Sequence, residues 1–117
     1  MAYDIPLAER LLDAVVDVSG VTHRKMFGGF AVMVNGHMLC GVIGDQLMAR
    51  VGADAYEACL ALPYASPMDF TGKALKGLVY VAPDGVDDEE DLETWVQRCL
   101  AFVLTLPPKA PKKRKGS

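Results

Sequence analysis

Apolar residues at Leu7, Ala8, Leu11, Ala14, Val15 and Val18 recur every three or four positions, with Glu9, Arg10, Asp13 and Asp17 between them. This spacing predicts an amphipathic helix of about four turns with one face against a core. Asp4 is placed to cap it, Pro6 falls in the first turn, and Gly20 follows Ser19 as a stop. From Val21 the period shortens to two. Thr22 to Met26 forms a first extended piece, and Gly28 to Val34 continues it past the pair Gly28-Gly29. Adjacent glycines inside an apolar run predict a bulge or bend in one strand, turning Met26 and Phe27 to the core and Arg24 and Lys25 to solvent. Asn35-Gly36 between apolar runs is a strong hairpin signal, because both turn positions need positive φ. His37 to Ile43 is the return strand, and Gly44-Asp45 is a second turn. Gln46 to Val51 is a third strand, in which Leu47, Ala49 and Val51 alternate with Gln46, Met48 and Arg50.

The second half is less regular. Asp54 to Leu60 has helix-forming composition, with Gly52 or Asp54 as its start. Pro63 and Pro67 bracket an irregular connection, Met68-Asp69-Phe70 forms a brief strand, and Gly72 to Gly77 forms a turn. Leu78 to Ala82 is a strand ended by Pro83-Asp84-Gly85. Asp87 opens a last helix with Glu90 as its capping-box partner. The predicted buried stripe is Leu92, Trp95, Val96, Cys99, Phe102 or Val103, and Leu106, and Pro107-Pro108 ends the helix. The order α-β-β-β-α-β-β-α describes an α+β domain, an antiparallel sheet with helices on one face.

At 117 residues the chain is long enough for one domain with its own core. Residues 1–106 are assigned to that domain, and residues 107–117 to a basic tail without apolar periodicity, predicted to be disordered. No apolar run approaches the roughly 20 residues that span a bilayer, and Met1 to Arg10 lacks the basic start of a signal peptide. A cytoplasmic protein without membrane contact is therefore expected. The net charge of −3 hides an asymmetry: Lys109, Lys112, Lys113, Arg114 and Lys115 stand in the tail, which carries no acid. Residues 1–106 hold seven positive charges against fifteen negative ones. Flexible cations of this kind attract phosphates by counterion release. With no aromatic residue to stack on bases, any nucleic-acid contact would be weak and sequence-blind.

The candidate chemistry is sparse. Cys40, Cys59 and Cys99 form no CxxC pair and sit in apolar surroundings, as buried free thiols do. His23 and His37, with Asp45 or Asp69, are too few for a convincing metal site. Ser19, Ser66 and Ser117 lack a nucleophile-elbow context. The six acids from Asp87 to Glu93 fit a solvated, capped helix start. Gly28-Gly29 lacks the pattern of a phosphate-binding loop. Arg24 and Lys25 beside the glycine pair, together with Phe27, Gly28, Gly29 and Arg50, are the candidate interaction residues, as a partner or anion contact. Positive charge on a strand edge also serves to discourage aggregation. Tyr56, Tyr64, Met68 and Phe70 gather near the proline-rich connection, as core packing, a groove or a dimer surface.

The Met26-Phe27-Gly28-Gly29 segment, followed by Asn35-Gly36 and hairpin strands, resembles the N-terminal domain of the TfoX/Sxy family of bacterial regulators associated with competence for DNA uptake. The opening helix, the Leu47–Val51 strand, the Met68–Phe70 piece and the closing helix fall in that family's order. The resemblance implies a two-layer fold with a five-stranded antiparallel sheet, like that of secretion chaperones, a group prone to dimerise. It also implies a regulatory role without catalytic residues. Two departures stand out: Arg50 replaces a common lysine, and only a basic tail follows, where full-length regulators carry a helical second domain. The expected function is a non-enzymatic adaptor acting through protein contacts, in transcription regulation, with no cofactor and with an unidentified protein or a second copy as partner. The alternative is a small-molecule-binding or enzymatic domain using a groove between the Gly28-Gly29 bend and the Tyr64 loop.

Overall fold

A computed structural model describes residues 3–26, 28–69 and 74–107. Side chains of Met26, Asp69, Ala74 and Leu75 lie outside that description, as do Phe27, Phe70 and the tail beyond Pro107. The elements are α1 (Ile5–Ala14), β1 (Val21–Met26), β2 (Gly29–Val34), β3 (His37–Ile43), β4 (Gln46–Arg50), α2 (Ala53–Leu60), β5 (Ala65–Asp69), β6 (Ala74–Val81) and α3 (Glu89–Val103). A short 3₁₀ turn, Pro83–Gly85, precedes α3. The six strands form one antiparallel sheet in the order β1-β2-β3-β4-β6-β5. The chain is α+β, with one strand more than expected.

The additional strand comes from the glycine pair. Met26 pairs with Gly29, so β1 and β2 are two arms of a hairpin and not one bent strand. Gly28 has φ +74°, which a turn this tight requires and which glycine adopts without a steric penalty. The expected bulge at the glycine pair is absent from the β1–β2 ladder, and the β2–β3 register instead shifts between Val32 and Met33, which the glycine signal does not mark. Asn35 and Gly36 have φ of 55° and 85° and close the second hairpin, as their sequence predicted.

Helix α1 is capped by Asp4, whose carboxylate accepts from the Leu7 amide at 3.1 Å. The helix stops at Ala14, before Ser19, and Val15, Val16 and Val18 continue in i→i−3 bonds. Two adjacent β-branched residues disfavour a further α-turn. At α3 the cap is Asp88, one residue past the expected Asp87, and it accepts from the Glu90 amide. The buried stripe of α3 is Leu92, Trp95, Val96, Cys99, Leu100 and Val103. Leu106 lies past the helix end, and Phe102 is half-buried against Gly52. Ala65 to Pro67, expected as irregular, pair with β6 as part of β5. Ala74 to Gly77, expected as part of a turn, belong to β6.

Two rows of partners cross all six strands and define the faces. Lys25, Phe30, Val42, Leu47, Val81 and Ala65 form one row. Phe30, Val42, Leu47 and Val81 share a single core with the buried residues of all three helices. The alternate row is Arg24, Ala31, Gly41, Met48, Tyr80 and Ser66. Ala31 and Met48 are buried but stand outside that core, so the helices cover one face only. Within the alternate row, Gly41 leaves space that Met48 fills: a Cβ there would lie 2.7 Å from Met48 Cε and 2.4 Å from the Phe30 carbonyl oxygen. Since that oxygen is backbone, Gly41→Ala should destabilise the protein by about 1–3 kcal/mol, read as a lower denaturation midpoint at unchanged m-value.

Cys40, Cys59 and Cys99 are free and buried, on β3, α2 and α3. Burial raises the thiol of each; Cys99 also faces Cys59 and is pushed up to about 12, against the lowering effects of a backbone hydrogen bond at Arg50 and of Arg98. A thiol whose folded pKa is raised stabilises the fold fully below its unfolded value of about 9 and loses that contribution as pH rises through the folded value. Folded protein at pH 8 should therefore leave all three thiols unreacted with a disulfide reagent, and stability should fall as pH climbs from 9 towards 12. Rapid labelling of folded protein at pH 8 would contradict this.

Candidate functional site

The candidate residues fall on separate parts of the sheet. Arg24 and Lys25 are exposed neighbours on β1, an edge strand, opposite Ala31 and Phe30. Their side chains alternate, Arg24 on the helix-free face and Lys25 on the helix side. Gly28 and Gly29 follow at the hairpin; Phe27 lies outside the described residues. Gly29 is buried, and a Cβ there would meet the Val42 carbonyl oxygen at 2.5 Å, so the hairpin end lies tight against β3. His23 stacks on Phe30 with ring centroids 5.2 Å apart, and Tyr3 lies against the same ring at 5.5 Å.

Arg50 is elsewhere. It sits at the end of β4, three strands from β1, about 14 Å at ordinary strand spacing. Its Nη1 donates to the Met38 carbonyl at 3.3 Å, and its guanidinium stands 5.5 Å from the centre of the Phe102 ring. Arg50 thus ties β4 to β3 and α3, and it does not converge with Arg24 and Lys25 on one anion. Sequence spacing gave no sign of this, because the separation depends on the strand order.

The same strand order separates the two halves of the alternative groove. Gly28 lies beside β1 and Tyr64 beside β5, at opposite edges of the sheet, about 24 Å apart. Tyr64 belongs to a smaller cleft of about 190 Å³ with Leu62, Pro63, Gly85, Trp95 and Arg98. Its backbone is left-handed, φ 69°, which is unusual for a bulky residue. Two contacts hold it: the Ala82 amide donates to the Tyr64 carbonyl at 2.9 Å, and Gly85 has no Cβ to collide with that of Tyr64. Arg98 lies over the buried Trp95 ring at 4.6 Å and closes the floor of the cleft. Of the aromatic and methionine residues grouped by sequence, Tyr56 is in the helix-side core, Met68 is buried outside it, and Tyr64 is exposed. Phe70 lies outside the described residues.

His37 Nε2 lies 2.7 Å from the Pro107 carbonyl. A carbonyl only accepts, so Nε2 carries the hydrogen, and this bond fixes the point from which residues 108–117 depart. Those residues, with Lys109, Lys112, Lys113, Arg114 and Lys115, lie outside the description. Among the described residues no group of three or more His, Cys, Asp or Glu is placed to hold a metal ion. No described helix is long and apolar enough to cross a membrane.

The surface that sequence reasoning missed is the helix-free face. Met33 and Met38 pair across β2 and β3, Ile43 stands near Gln46, and Leu78 and Tyr80 continue the face on β6. These side chains are half-buried around Ala31 and Met48. The available signal was the alternate set of strand positions, Met33, Met48 and Tyr80, which is apolar where a solvated face is usually polar.

The family model described as the TfoX N-terminal domain matches residues 13–103. Neither the curated proteins nor the solved structures compared with the chain gave a match. The matched span begins within α1 and runs to the last residue of α3, taking in every strand and all the hairpins. The chain belongs to the TfoX N-terminal domain family.

Proposed function

We propose that this chain is a non-catalytic regulatory module of the TfoX type, working in the cytoplasm by protein contact. The observation that supports the reading is the helix-free face of the sheet. Ala31 and Met48 are buried there with no described helix above them, and Met33, Ile43, Leu78 and Tyr80 surround them. Contiguous apolar surface on one side of a sheet marks a protein contact more often than a solvated face. Methionine side chains suit such a contact because they adapt to the partner's shape. The occupant is a second copy or another protein, and a dimer of the kind found among secretion chaperones is one form of it. Arg24, Lys25 and the glycine hairpin form a second element of the contact at the edge of the same sheet.

The basic tail adds a sequence-blind attraction to nucleic acid, which the charge asymmetry of the chain supports. Arg50, paired with Leu78 at the end of β4, stands at the margin of the helix-free face, with its guanidinium held by the Met38 carbonyl and the Phe102 ring.

Replacing half-buried Met33 and Leu78 by glutamate should abolish association, read by sedimentation for self-association and by crosslinking in lysate for other partners. Far-UV dichroism should stay unchanged. Association that survives both substitutions would remove the face from this role. If the five tail cations neutralise five phosphates, affinity for duplex DNA should fall by about 500-fold between roughly 50 and 200 mM salt. Deleting residues 108–117 should abolish binding, and DNA affinity that is unchanged by the deletion would overturn the role of the tail.

A further inference from the structure

The two edges of the sheet differ. β5 has five residues, contains Pro67 with no amide hydrogen to donate, and shifts register between Pro67 and Asp69. Short length, proline and a register shift are the usual devices that prevent a further strand from pairing. β1 has none of them. Its six residues pair with β2 at every position from Val21↔Val34 to Met26↔Gly29 with no shift. In an antiparallel ladder, alternate residues turn their N–H and C=O groups away from the partner strand. Half of β1 therefore presents backbone groups outward, and Thr22, His23, Arg24 and Lys25 are all exposed.

We infer that β1 accepts an extended segment of a partner protein that carries two consecutive acidic residues, adding it as a seventh strand. This rests on the reading of the chain as a module that acts by protein contact, and it names the chemistry of one partner. Arg24 and Lys25 are adjacent and point to opposite faces, so a pairing strand meets one charge on each face. Neither forms an ion pair among the described residues. Acids opposite both charges must themselves be adjacent in sequence. On the helix side, the residue opposite His23 lies two positions from the acid opposite Lys25. There the His23–Phe30 stack offers an aromatic surface to a large apolar side chain.

A second copy is the wrong occupant for this edge. In the registers centred on Arg24 or Lys25, two β1 strands related by a two-fold axis bring that charge against its own copy, and like charges directly opposite oppose pairing. The same charges that prevent self-pairing select an acidic strand.

The probe is a synthetic peptide with a Val-Phe-Glu-Glu-Val centre, added to the full chain, with the lysine-for-glutamate peptide as control. Hydrogen exchange should show new protection at alternate amides of Val21–Met26 with the acidic peptide alone. The double variant Arg24→Glu, Lys25→Glu should weaken binding about tenfold or more, since two exposed pairs become repulsive. Arg24→Lys should retain most of it. Leu78→Glu alone, four strands from β1 in the sheet order, should leave it unchanged, so failure of the edge and failure of the helix-free face are read separately. Protection confined to the tail or to the helix-free face, equal binding of the lysine peptide, or no protection at all would overturn the inference.

Discussion

Three helices lie on one side of a six-stranded sheet, and everything else about the molecule depends on that unequal coverage. The contact of α3 with β3 and β4 is its centre: the buried stripe from Leu92 to Val103 meets the strand positions that include Cys40, Leu47 and Ala49. Fully burying each such aliphatic side chain contributes about 1.5–3 kcal/mol, more than any surface ion pair in this fold. The register that aims Phe30, Val42, Leu47 and Val81 at the helices also aims Ala31, Gly41, Met48 and Tyr80 away from them, because strand side chains alternate. An apolar second set is thus left with no layer above it among the described residues.

The β2–β3 hairpin anchors two connections to this frame. The Asn35 amide donates to the Gly20 carbonyl, which fixes the entry to β1, and His37 holds the Pro107 carbonyl, which fixes the exit from α3. From the middle of α1, Arg10 donates to Glu89 and to the carbonyls of Val86 and Asp87, joining the start of α3 to α1. The Arg10–Glu89 pair is exposed and adds little by itself. The bonds to two backbone carbonyls matter more, since they orient the loop before α3.

How much of this was legible depends on whether a local signal had one meaning. β3 was read at its observed bounds because Asn35-Gly36 and Gly44-Asp45 frame it with turns that few other residues can make. The glycine pair was ambiguous. Bend and hairpin both require a residue free of Cβ, and only the Met26↔Gly29 pairing decides between them. The start of β5 is not legible in the sequence, because Pro67 argues against a strand except at an edge, and edge position follows from topology alone. Gly77, with φ +99°, gives a turn signal in the sequence although it lies within β6, where its carbonyl accepts from the Val51 and Gly52 amides. The site was less legible than the fold. Arg24 and Lys25 were visible as adjacent charges, but the distance to Arg50 and the separation of Gly28 from Tyr64 depend on strand order, which pairwise turn signals do not encode past β4.

The two exposed features of the sheet have different chemistry, and this constrains how one small domain serves a regulatory role. The helix-free face is apolar and methionine-rich, a surface that tolerates variation in its partner and gains mainly from area. In the interaction proposed for it, the β1 edge relies on directional backbone bonds and two charges, and so selects by extended conformation and sign. Arg24 belongs to both, at the margin of the face and in the middle of the edge. A partner that crosses from edge to face would meet its guanidinium at the boundary, where solvent still reaches one side. Charge there costs little desolvation in the free domain and would still repel a cationic partner, so under the proposed reading Arg24 weighs on specificity more than on affinity.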